Sequence, residues 1–117
     1  MSLAFNLEKT SHYTILRLSG KILSEGELEE IKKQIYPMDT EKGTNWILDL
    51  TDLSHTNSSG ISFMVKLLTR ARVNDGELVL SGVKGTVATL FKIAKIDLIF
   101  TIFNTPSEAK EFFTAKA

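Results

Sequence analysis

The order of apolar and polar positions divides the chain into nine short segments. "LAFNLEK" (residues 3–9) and "YTILRLSG" (13–20) are β-rich runs, the second with Tyr13, Ile15, Leu16 and Leu18 around Thr14 and Arg17, and only Thr10-Ser11-His12 separates them. That spacing predicts a hairpin. "SEGELEEIKKQIY" (24–36) opens on Ser24 with Glu27 three residues on, a capping-box pattern, and places Leu28, Ile31 and Ile35 at helical spacing. "NWILDL" (45–50), bounded by "EKGT" and "TDLSHT", reads as a strand covered on both faces. Residues 58–72 form a second helix whose apolar stripe is Ile61, Met64, Val65, Leu68 and Ala71. "GELVLSG" (76–82) is another strand, and Val87, Leu90, Phe91 and Ala94 give a third helix its buried face. "LIFTIF" (98–103) completes the strands, and "TPSEAKEFF" (105–113) starts a last helix with Thr105 as cap, Pro106 at the first helical position and Glu108 closing the box.

The resulting order, β-β-α-β-α-β-α-β-α, predicts an α/β fold with a mixed, mostly parallel sheet, the leading strand paired antiparallel at one side. Residues 1–117 read as one domain, long enough to bury a core without covalent staples. There is no cysteine, which excludes disulfides and thiolate metal sites and suggests a reducing, cytoplasmic setting. No apolar run approaches the roughly 18 residues of a membrane span, and "MSLAFNLEKT" lacks a signal-peptide layout, so no membrane insertion is expected. Fourteen basic and fourteen acidic side chains cancel, and no segment concentrates Lys or Arg, so nucleic acid is not an expected partner.

Ligands of parallel sheets gather where strands lead into helices, and "DLSHTNSSG" (52–60) lies at such an exit. Asn57 is among the best helix caps, which puts Ser58 and Ser59 in the first helical turn, with Ser58 toward solvent. Unpaired N–H groups and the positive end of the helix dipole favour an anion there, including a phosphate on serine. Gly60 adds to the signal, since glycine costs about 1 kcal/mol relative to alanine inside a helix, and its missing side chain lets another backbone or a partner approach.

Together with the element order, "DLSHTNSSGI" resembles the STAS domain of bacterial anti-sigma factor antagonists (anti-anti-sigma factors). The resemblance spans essentially the whole chain, including the hairpin ending in "LSG", the "LDLTDLS" strand exit, "GELVLSGV" and the final "SEA" helix. It implies a single STAS-like domain acting as a non-catalytic protein-interaction switch. The implied partner is an anti-sigma factor that is also a serine kinase and phosphorylates Ser58, with Ser59 the second candidate; a Ser/Thr phosphatase reverses the mark. The implied partner-binding residues are Asn57, Ser58, Ser59 and Gly60, and no cofactor is implied. The family pattern, approximately D-x-S-x-x-D-S-S-G-[LI], has an aspartate where this chain has Asn57, and the family's G-x-x-D hairpin exit reads Gly20-Lys21-Ile22-Leu23.

Beside the second helix's stripe, Phe63 and Leu67 lie four residues apart and toward a different side. They read either as a partner-facing apolar patch or as a wide core face covered by a neighbouring helix. Other readings of the chain are plainer. Ser58 and Ser59 also suit ordinary helix-start positions. His55 near Ser58 does not make a hydrolase, because triad members converge from separate elements and "NSSGI" is not the G-x-S-x-G elbow. "GVKGT" (82–86) lacks the order of a phosphate loop, leaving Lys84 a surface lysine, and Glu29-Glu30 are neighbours on a helix rather than a facing pair. No residues are expected to be catalytic or to bind metal. The rival function is a STAS module not switched by phosphorylation: a signalling scaffold, a transporter accessory subunit, or a nucleotide or small-molecule sensor.

Overall fold

A computed structural model describes residues 3–38 and 41–116. Strands β1 (Leu3–Lys9) and β2 (Thr14–Lys21) form the expected hairpin, its turn held by Thr10, whose hydroxyl accepts the Tyr13 N–H at 3.1 Å. Strands β3 (Trp46–His55), β4 (Leu78–Ser81) and β5 (Thr101–Phe103) extend the sheet in the order β1-β2-β3-β4-β5, with β2 to β5 parallel and β1 antiparallel at one edge. The crossovers carry helices α1 (Glu29–Ile35), α2 (Ser58–Val73) and α3 (Gly85–Ile93), and α4 (Pro106–Lys116) closes the chain.

Strand alternation separates two cores. Leu16 and Leu18, Leu48 and Leu50, and Leu78 and Leu80 point to the face covered by α1, α2 and α3. Ile15, Ile47 and Val79 point the other way, where α4 brings Ala109 and Phe113. All three parallel crossovers progress in one direction across the sheet, so right-handed connections put α1 to α3 on the same side.

Several elements differ from the sequence reading. The first helix opens as a 3₁₀ turn, Glu25–Leu28, although its box forms, with Glu27 Oε1 accepting the Ser24 N–H at 3.1 Å. Strand β3 does not end at Leu50: it stays paired with β2 out to Lys21 opposite His55, so most of the expected loop is strand. In α3 only Val87 and Phe91 are buried, with Leu90 half-buried and Ala94 exposed. "LIFTIF" shortens to β5 because four-residue β4 offers few partners, and Ile96–Leu98 forms a 3₁₀ turn instead. The last helix begins as expected, with Glu108 Oε1 accepting the Thr105 N–H at 3.1 Å.

The buried arc of α2 corrects the partner-patch reading. Phe63 and Leu67 are 3% and 2% exposed and belong to the main core, whereas Ile61 and Val65 are half-buried at its margin. Gly60, Phe63, Met64, Leu67, Leu68 and Ala71 follow the full i, i+3, i+4, i+7 rule, one position round the helix from the expected stripe. The cause is tertiary: α2 packs against the 3₁₀ turn Glu25–Leu28 as well as on β4, so the side bearing Phe63 is enclosed.

Candidate functional site

Strand β3 carries the chain to His55, and Thr56 and Asn57 turn it into α2. Asn57 is extended (φ −141°, ψ −173°), and its Oδ1 accepts the Gly60 N–H at 3.0 Å, the cap its residue type predicts. Asn57→Ala is therefore expected to cost about 0.5–2 kcal/mol in denaturant unfolding, and Asn57→Asp to be nearly neutral, because the carboxylate accepts the same bond. An alanine variant as stable as the parent would remove the cap from the account of this turn.

Beyond the cap, Ser58 is exposed and Ser59 half-buried. The first turn of α2 holds no acidic side chain, so the dipole's positive end is uncompensated by carboxylate at the point where Ser58 meets solvent. Gly60 is buried because the exit of β2 runs against it: a Cβ there would overlap the Thr56 hydroxyl and lie 3.1 Å from Ile22 Cδ1. Ile22 is in turn fixed by its N–H donating to the His55 carbonyl at 3.0 Å. The next residue, Leu23, is 60% exposed, so the strand exit flanking the turn presents an apolar side chain.

A second wall comes from α3. Thr86 Oγ1 donates to the Ser54 carbonyl at 2.6 Å, and Ser54 Oγ donates to the Gly20 carbonyl at 3.0 Å, tying three elements together at the top of the sheet. Thr51 to His55 and Lys84 to Thr86 enclose a cleft of 400 Å³. Buried Asp49, in mid-β3, accepts bonds from the Thr51 N–H (3.1 Å), the Thr51 hydroxyl (2.6 Å) and the Ser81 hydroxyl (3.3 Å), which ties β3 to the end of β4.

The structure thus brings Asn57, Ser58, Ser59 and Gly60 to one rim and removes Phe63 and Leu67 from it. His55 Nδ1 lies 3.1 Å from Ser54 Oγ, within its own strand rather than on Ser58. Lys84 is exposed at the start of α3, His12 is exposed in the hairpin turn, and Glu29 pairs with Lys32 at 3.3 Å. Among the described residues no three His, Asp or Glu side chains are grouped to hold a metal, and no helix is long and apolar enough to cross a membrane. Sequence reasoning missed Thr56, Thr86 and Asp49. Thr86 and Ser54 are 32 residues apart and no local pattern joins them, whereas the Asp49-x-Thr51 pair was visible as a polar interruption at the end of an apolar strand.

The family model for the STAS domain matches residues 4–109. The chain belongs to the STAS domain family. Solved structures with this STAS fold include an anti-sigma factor antagonist from Mycobacterium paratuberculosis, at 12% identity and TM-score 0.82 over 97% of this chain and 95% of that one. The anti-sigma factor antagonist SpoIIAA in its unphosphorylated form is 22% identical, with TM-score 0.80 over 96% and 97% of the two chains. The Bacillus protein in its phosphorylated form gives 22% and 0.72 over 92% and 97%. A sulfate transporter family protein from Wolinella succinogenes also shares the fold, at 16% identity and TM-score 0.68 over 86% and 84%. The STAS match takes in β1 through the start of α4, so the Asn57–Gly60 turn lies well inside it.

Proposed function

We propose that this STAS domain is an anti-sigma factor antagonist, a non-catalytic switch that works in the cytoplasm. Its partner is an anti-sigma factor with serine kinase activity, and its switch is phosphorylation of Ser58, reversed by a Ser/Thr phosphatase. One observation carries the reading: Ser58 is exposed at a capped helix N-terminus free of acidic side chains, while Ser59 beside it is half-buried. Phosphate on Ser58 adds about −1.5 to −2 charges at neutral pH. In the free domain the helix dipole and first-turn N–H groups favour that charge. Against a partner the same charge must be desolvated or meets repulsion, so one modification suits the free form and opposes the complex. The existence of SpoIIAA in unphosphorylated and phosphorylated forms supports a switch of this kind on this fold.

Ser58→Ala is expected to bind the anti-sigma factor and to take no phosphate, and Ser58→Asp to bind about tenfold more weakly or worse, a difference of about 1.4 kcal/mol. Aspartate at the first helical position should leave the free domain as stable as the parent or more so, which separates lost binding from lost folding. Titration calorimetry and mass mapping of the turn peptide check both; phosphate on Ser59 alone, or equal affinity of the two variants, refutes the assignment.

The sulfate transporter family neighbour and the 400 Å³ cleft beside the turn favour a second reading, a STAS module that senses a small molecule or serves a transporter without phosphorylation. Under that reading neither Ser58 variant alters partner binding.

A further inference from the structure

Strand β1 (Leu3–Lys9) forms one border of the sheet, and among the described residues no strand pairs with its outer side. The hydrogen bonds of the hairpin decide which backbone groups that side presents. The Thr10 N–H donates to the Tyr13 carbonyl at 2.8 Å, and the Thr14 N–H turns the other way, to the Asn45 carbonyl at 2.8 Å. Thr10 and Tyr13 are therefore a hydrogen-bonded pair, and alternation along the antiparallel register makes Glu8 with Ile15, Asn6 with Arg17 and Ala4 with Ser19 the next ones. The N–H and C=O groups of Leu3, Phe5, Leu7 and Lys9 are left pointing outward.

Proteins blunt such borders with proline, bulges or lysine. Strand β1 contains no proline, and its register with β2 runs without the irregularities that β2 shows against β3. Its one lysine, Lys9, stands at the end of the strand and is engaged by Glu41 of its own chain at 3.3 Å. Phe5 and Leu7 are half-buried, packed against the main core on one side and open to solvent on the remainder.

Reversed about Asn6, its midpoint, the strand fits itself. Every outward-facing residue then meets another: Phe5 opposes Leu7 of the second copy, an apolar cross-strand pair made twice by symmetry, and Leu3 opposes Lys9. Ala4 opposes Glu8, which keeps the two Glu8 carboxylates, and likewise the two Lys9 ammoniums, at opposite ends of the ladder. On the axis the two Asn6 side chains meet as a non-hydrogen-bonded pair. Asn6 Oδ1 accepts from Arg17 Nη1 at 3.0 Å, and its Nδ2 can donate to the other amide's oxygen.

We infer that the chain forms a two-fold symmetric dimer in which β1 pairs antiparallel with β1 of a second copy, so that one sheet runs through both. Such a contact closes on itself, and the opposite border, three-residue β5, offers little on which to extend the assembly. The Ser58 turn follows β3, two strands in from the paired border, so both copies keep it open. The inference does not depend on modification of Ser58.

The test uses the full chain in sedimentation velocity and amide exchange over a concentration series. The expected result is a rise from 13.0 kDa toward twice that mass by about 1 mM. The Phe5 and Leu7 amides should gain protection as the dimer fills, while Asn6 and Glu8, bonded within the hairpin, are protected throughout. Asn6→Cys and Glu8→Cys each place one thiol at an exposed position of a chain that has no cysteine. Across the axis the Cα atoms of residue 6 would lie about 4.5 Å apart, within disulfide reach, and those of residue 8 about 14 Å apart, so Asn6→Cys should cross-link at least about tenfold faster. Asn6→Asp keeps the bond to Arg17 but sets two carboxylates face to face, and should weaken the dimer about fivefold at an unchanged monomer melting temperature. A chain that stays at 13.0 kDa up to about 1 mM overturns the proposal. So does a dimer with unchanged exchange at Phe5 and Leu7, equal cross-linking of the two cysteine variants, unchanged affinity in Asn6→Asp, or growth beyond the dimer.

Discussion

Phe63→Ala is expected to destabilise the free domain by about 3–5 kcal/mol, and Leu67→Ala by about 2–5 kcal/mol, in denaturant or thermal unfolding. Both side chains are sealed into the main core, and each truncation removes apolar area from burial and leaves a cavity that the surrounding sheet and helices fill only in part. Set against a total stability of about 5–15 kcal/mol for an ordinary domain, either loss is large. Partner binding by these variants would fall because less domain is folded, with the slope of the urea transition preserved. An unfolding free energy within about 0.5 kcal/mol of the parent would return both residues to the surface and revive a partner-facing patch.

The difference between Phe63 read from the sequence and Phe63 in the structure shows which features a sequence makes legible. The caps at Ser24, Asn57 and Thr105 were readable because both halves of each motif lie within four residues. The mostly parallel sheet with its antiparallel leading strand was readable because strand-helix-strand repetition and the handedness of crossovers leave few arrangements. The direction in which α2 turns its wide apolar arc was not, since it depends on the 3₁₀ turn at Glu25–Leu28, more than thirty residues away, closing over one side. The far end of β3 failed for the same reason. "TDLSH" has the composition of a loop, and it is strand because β2 continues alongside it to Lys21. At the candidate site the exposure of Ser58 followed from its place one residue beyond the cap, while the tie from Thr86 to Ser54 that builds the neighbouring wall had no local signature.

Gly60→Ala is expected to destabilise the domain by about 1–3 kcal/mol, against the direction that helix propensity alone predicts. In an open helix, alanine for glycine gains about 1 kcal/mol. Here the added methyl would overlap the Thr56 hydroxyl and press within 3.1 Å of Ile22 Cδ1 and 3.4 Å of Ile22 Cγ2. Thr56 is β-branched, with few rotamers to retreat into, and Ile22 is held by its N–H bond to the His55 carbonyl, so relief must come from the first turn of α2 moving outward. That motion lengthens the Asn57 Oδ1 bond to the Gly60 N–H and shifts Ser58, so the variant should lose binding of the proposed partner as well as stability. Thr56→Ala removes the closest obstacle and should recover part of the loss when combined with Gly60→Ala, a non-additive pairing expected of residues in contact. If Gly60→Ala instead raises the melting temperature, close approach of the β2 exit is not what glycine serves at this position, and room for a partner's backbone against the serines becomes the reading to pursue.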